Sequence, residues 1–164
     1  MRSLLMTALL LTPLLTLPRA AAADLTCGGA VSGRTVRGDV QVRSGSTCTL
    51  TGVRVDGNVK VPRGATLILN RSQVDGNVET DDGFRSVTVT GSVVDGNIEA
   101  ERGGNVRVEN TRVNGNIELE RNTGTLRVAR ATVQGNLKCE DNTRTPGGEQ
   151  NRVQGDREGQ CRAL

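Results

Sequence analysis

One short pattern recurs along almost the whole chain and limits what it can fold into. The tetrapeptide Val-x-Gly-Asn/Asp begins at Val36, Val55, Val74, Val94, Val113, Val133 and Val153. Its glycines, Gly38, Gly57, Gly76, Gly96, Gly115, Gly135 and Gly155, are spaced by 19, 19, 20, 19, 20 and 20 residues. A near-constant period of this length is the mark of a solenoid, whose repeats bury an apolar face only by stacking on their neighbours.

Alignment on the repeat glycine exposes the strands. Nine and seven residues before it stand Cys48 and Leu50, Leu67 and Leu69, Val87 and Val89, Val106 and Val108, then Leu126 and Val128. Four before it is a modest side chain (Val53, Ser72, Ser92, Thr111, Ala131), and two before it is always Val. Two and four after it come Val40 and Val42, Val59 and Val61, Val78 and Thr80, Ile98 and Ala100, Ile117 and Leu119, then Leu137 and Cys139. Pairs two apart have the period of a strand with one buried face. Three short strands per repeat predict a parallel β-solenoid of about 19–20 residues per coil and six to seven coils. The inward gaps of 2, 3, 2, 4 and 2 residues lack the six-residue regularity of left-handed hexapeptide helices. The expectation is therefore a right-handed parallel β-helix, the preferred hand of parallel crossovers.

Composition fits this reading. The chain has no His, Trp or Tyr, and its one aromatic is Phe84, so its core is aliphatic and His-dependent catalysis or zinc ligation is excluded. Glycine at each corner is expected to supply positive φ. The residue that follows it, Asn58, Asn77, Asn97, Asn116 and Asn136, is expected to stack as a structural amide ladder.

Residues 1–23 read as a secretory signal peptide, with Arg2, the apolar run Leu4 to Leu17 and the small residues Ala20 to Ala23. Residues 24–164 form one solenoid domain, expected to be secreted or periplasmic, with no transmembrane segment. Removing residues 1–23 lowers the net charge from +3 to +1. With neither a basic excess nor stacking rings, nucleic acid is not expected as a partner.

The four cysteines all lie in the exported part, where disulfides persist. Cys27 and Cys48 are 21 residues apart and Cys139 and Cys161 are 22 apart, each about one coil. Adjacent strands are ~4.8 Å apart, a separation a disulfide spans. The expected bonds are Cys27 with Cys48 and Cys139 with Cys161, at similar phases of neighbouring coils, stapling both ends against end-to-end polymerisation.

Any function falls to outward positions. Glu79, Asp81, Glu99, Glu101, Glu118, Glu120 and Glu140 are expected on one acidic face, and Asp56, Asp75 and Asp95 at a corner form a weak candidate Ca²⁺ site. The competing reading is a solvated surface, and no cofactor is expected. Arg54, Arg71, Arg107, Arg112, Arg127, Arg130 and Arg152 are placed on the other exposed strands. The leading expectation is a non-catalytic envelope or extracellular structural or binding module, monomeric, with an envelope or extracellular partner. The alternatives are an acidic-polysaccharide-binding or -processing β-helix and a self-associating fibre subunit.

The ending Gly135-Asn136-Leu137-Lys138-Cys139-Glu140-Asp141-Asn142, followed by Pro146-Gly147-Gly148, Asn151, Val153 and Gln160-Cys161, resembles that of small secreted bacterial parallel β-helix proteins. The repeat also resembles that of the bactofilin domain, a right-handed β-helix that polymerises in the cytoplasm. Both resemblances imply the fold. The signal segment and cysteine pairs set the chain apart from bactofilins.

Overall fold

A computed structural model describes residues 23–164; the signal-peptide reading of residues 1–23 lies outside the described residues, apart from Ala23. Every regular element among them is a strand, and every strand pair is parallel. The chain winds through three sheets in turn and returns to the first about seven times.

The first sheet has eight strands: Leu25–Cys27, Val40–Val42, Val59–Val61, Val78–Thr80, Ile98–Glu101, Ile117–Glu120, Leu137–Glu140 and Arg157–Gly159. The second has six: Ala30–Ser32, Thr47–Thr51, Thr66–Asn70, Ser86–Thr90, Asn105–Glu109 and Leu126–Ala129. The third has seven two-residue strands: Thr35–Val36, Arg54–Val55, Gln73–Val74, Val93–Val94, Arg112–Val113, Thr132–Val133 and Arg152–Val153. Register follows the sequence repeat, with Val59 opposite Val40 and Val78, Leu69 opposite Leu50 and Val89, and Val113 opposite Val94 and Val133.

The interior is made of these aligned columns. Val40, Val59, Val78, Ile98, Ile117 and Leu137 are fully buried, as are Leu50, Leu69, Val89, Val108 and Val128. Each such side chain contributes about 1.5–3 kcal/mol of transfer free energy. β-Branched residues suit the columns because parallel stacking leaves no room to splay. Phe84 is buried too, where the first sheet turns toward the second, beneath Gly103 of the next coil.

The corner glycines serve a different purpose from the one expected. None of the seven is among the positive-φ residues. A Cβ on Gly96 would instead stand 2.7 Å from the carbonyl oxygen of Gly76, and one on Gly115 the same distance from that of Gly96. Close stacking of successive corners therefore excludes a side chain. Positive φ occurs five residues earlier, at Gly33, Gly52, Arg71, Gly91, Asn110, Arg130 and Gln150. Arg71 and Arg130 consequently occupy a turn, not a strand.

Two disulfides staple the ends, Cys27–Cys48 and Cys139–Cys161, with Cα separations of 5.5 and 5.2 Å. Their phases are not equivalent. Cys27 lies opposite Val42 in the first sheet, while Cys48 is in the second, opposite Leu67, so that bond crosses the interior. Cys161 follows the last strand, in a turn that folds back and packs Leu164 against the core.

Candidate functional site

The corner asparagines form a continuous chain of hydrogen bonds. The backbone N–H of Asn58 donates to Asp39 Oδ1, that of Asn77 to Asn58 Oδ1, and so on through Asn97, Asn116 and Asn136 to Asp156, at 2.8–2.9 Å. Each side-chain oxygen thereby satisfies a backbone donor of the next coil, leaving the amide NH₂ to act outward. Those of Asn77, Asn97 and Asn116 donate to Glu79, Glu99 and Glu118.

A second amide column lies in the loops between the first and second sheets. Asn122 Oδ1 accepts from the Gly103 N–H, Asn142 Oδ1 from the Asn122 N–H, and Gln160 Oε1 from the Asn142 N–H, all at 2.9–3.0 Å. Asn122 and Asn142 also donate to the carbonyls of Ala100 and Leu119. These buried residues were missed in the sequence because loop length varies there and alignment on the glycine loses phase. Asn142 three residues after Cys139 and Asn122 three after Leu119 carried the signal.

The acidic residues split into two columns. Glu79, Glu99 and Glu118 are in register, with Lys60 and Lys138 at the two ends of the run. They form no ion pair among the described residues; the ladder amides hold them. Glu101, Glu120 and Glu140 are also in register, but interleaved with cations. Lys138 reaches Glu120 at 2.7 Å and Glu140 at 3.3 Å, and Arg121 lies 3.2 Å from Glu120. Those two carboxylates raise the Lys138 pKa, Glu120 by the stronger hydrogen bond. Asp81 leaves the column, because it sits in the turn that bonds back to Phe84.

Asp56, Asp75 and Asp95 do not converge. Arg54 bonds both Asp56 and Asp75, Gln73 donates to Asp75 and Asp95, and Asn114 donates to Asp95. Among the described residues no group of three or more Asp, Glu or Cys stands at metal-holding distance. Asp39 is engaged in the same manner. The Asn58 N–H and then Lys60 hold its carboxyl below the usual range, and Asp39 in turn raises the Lys60 pKa.

Basic residues gather on the last coils of the second and third sheets. Glu109, 5% exposed, is their hub: Arg127 Nε lies 2.6 Å from it, Arg107 2.7 Å and Arg130 3.7 Å. The bond from Arg127 and then Arg107 hold the Glu109 carboxyl below its ordinary value against the opposing effect of burial. Glu149 pairs with Arg127 at 2.9 Å. Beside this hub an open cleft of about 530 Å³ is lined by Arg130, Thr132, Gln150, Asn151 and Arg152. The column immediately before the corner glycine changes over the same distance. It reads Arg37 in the first coil, Asp56, Asp75 and Asp95 in the next three, then Asn114, Gln134 and Gln154.

Comparison with known protein families, curated proteins and solved structures finds no match to this chain.

Proposed function

We propose that the chain is an exported, non-catalytic structural or binding module of the cell envelope or extracellular space. The observation that carries this reading is the division of labour in each coil. Inward slots and corner amides serve packing and backbone hydrogen bonds, while charged groups stand in register on outer columns of a disulfide-stapled rod. Such a rod presents repeated groups at fixed spacing and suits multivalent contact better than a reaction centre. The four paired cysteines fit an oxidising compartment.

The test is recovery of the protein from native cells. This reading expects a mature N-terminus near Asp24, no titratable thiol, and no release of reducing ends from uronate polymers. Cytoplasmic protein retaining residues 1–23 with four free thiols contradicts export. Polymer turnover contradicts the non-catalytic assignment.

A further inference from the structure

Arg54 shows how an outward arginine of the third sheet can be neutralised within the molecule. Its guanidinium bonds Asp56 of its own coil and Asp75 of the next. Arg112 occupies the same slot three coils later. There the two carboxylate positions hold Asn114 and Gln134, and beside Arg152 stands Gln154. Arg112 and Arg152 are exposed, and neither forms an ion pair among the described residues.

Thr132 lies between them in register, so the two arginines sit two strands apart on one column, a Cα separation of roughly 10 Å. Arg130 flanks them at the turn, held by Asn110 Oδ1 and only distantly by Glu109 and Glu149, at 3.7 and 3.8 Å. The cleft described above is lined by two of the three arginines, Arg130 and Arg152, and by Thr132.

We propose that Arg112, Arg130 and Arg152 form a binding strip for an acidic polysaccharide lying along the solenoid axis, an assignment that rests on the binding-module reading above. Guanidinium groups pair with carboxylate or sulfate through charge-assisted, bidentate hydrogen bonds. The amides and hydroxyl beside them, Gln134, Gln150 and Thr132, offer donors and acceptors suited to sugar hydroxyls, whereas the Asn151 amide is already bonded to the Ala131 N–H and the Val128 carbonyl. Single-stranded nucleic acid is disfavoured because its binders stack bases on exposed rings, and the one ring here, Phe84, is 2% exposed. The neighbouring Arg127 is excluded from the strip because Glu109 and Glu149 already saturate it.

The experiment titrates oxidised mature protein with polygalacturonate, chondroitin sulfate, neutral dextran and a single-stranded oligonucleotide over a range of salt. The two acidic glycans are expected to bind and dextran not. R112Q/R152Q is expected to weaken binding by about tenfold or more and to flatten the logarithmic salt dependence by about two charges. Q134D, which restores the carboxylate that neutralises Arg54 in its own coils, is expected to weaken binding while leaving every arginine in place. R54Q is expected to change affinity by less than about twofold, since that arginine is already paired. The proposal is overturned if R112Q/R152Q and Q134D bind like the parent, if R54Q causes the larger loss, if the oligonucleotide binds tighter than both glycans, or if neither glycan binds. Absence of glycan binding in a protein that is exported and oxidised removes this strip but leaves the binding-module reading standing. Cleavage of the glycan removes that reading instead.

Discussion

The early and late coils share one interior and one set of corners, yet around the arginines of the third sheet they treat charge differently. Around Arg54 the preceding-glycine column supplies Asp56 and Asp75, and the cation is consumed within the molecule. Around Arg112 and Arg152 the same column supplies amides, and the cations are left to solvent. Inward positions cannot diverge in this way. Val94 and Val113 face the same narrow space and are both fully buried, so a polar replacement at either is penalised equally. In a solenoid, packing keeps the repeat uniform and leaves the outer columns free to specialise by coil.

That comparison predicts that a corner substitution costs the same in either half. Gly76→Ala and Gly115→Ala each press a Cβ within 2.8 Å of the preceding coil's carbonyl oxygen. Each should lose about 3 kcal/mol in denaturant unfolding. Gly52→Ala, at φ +61° with nothing within 4 Å, should lose only about 1 kcal/mol. If Gly76→Ala is tolerated and Gly115→Ala is not, the halves do not share a core.

Removing the end staples sharpens the same point. Both disulfides close loops of nearly equal length, 21 and 22 residues, so chain entropy assigns each about 3 kcal/mol. Cys27→Ala/Cys48→Ala and Cys139→Ala/Cys161→Ala should lower thermal stability alike.

The amide columns come next in size. Asn122→Ala removes the acceptor of the buried Gly103 N–H and one donor to the Ala100 carbonyl and should cost about 2 kcal/mol. Asn77→Ala, in the partly exposed corner ladder, should cost about 1 kcal/mol because water can replace some of what is lost. Amide exchange at Gly103 and Asn97 reads the two losses locally.

The smallest effect is on acid sensitivity. Asp39 in the early coils and Glu109 in the late ones both have carboxyls held below their ordinary values when folded. Their contribution is complete above the unfolded carboxylate pKa, about 4, and is lost as pH falls through the lower folded values. The melting temperature should be flat from pH 7 to about 5 and drop below about pH 4. Asp39→Asn preserves the ladder acceptor found in every middle coil and should blunt that drop slightly. Glu109→Gln, which strips the hub of three arginines of its charge, should already be less stable at neutral pH.

The coil was legible in the sequence because burial alternates with fixed phase around each glycine. Val55 and Val74, or Leu50 and Leu69, announce their stacking by spacing alone. The disulfide pairing was legible from the one-coil separation of each pair, while the difference in phase between the partners was not. The role of the corner glycine was not, since a residue needed for positive φ and one needed for close approach look identical in sequence. The buried positions of Phe84, Asn122 and Asn142 were hidden by loops that differ by one residue and break the alignment. Glu109 has the parity of an exposed residue; it is buried because arginines from its own strand and the following coil fold over it. At the candidate strip the arginines were legible, while the freedom of Arg112 and Arg152 from ion pairs was not, since it depends on which carboxylates reach across coils as Asp75 does to Arg54.

Peptide mapping of the oxidised mature chain without reduction tests the winding most directly. One coil per glycine-centred repeat predicts cross-linked fragments joining Cys27 to Cys48 and Cys139 to Cys161, with no other pairing. Recovery of Cys27 joined to Cys161 within one molecule would contradict it, because the intervening coils hold those residues at opposite ends of the rod.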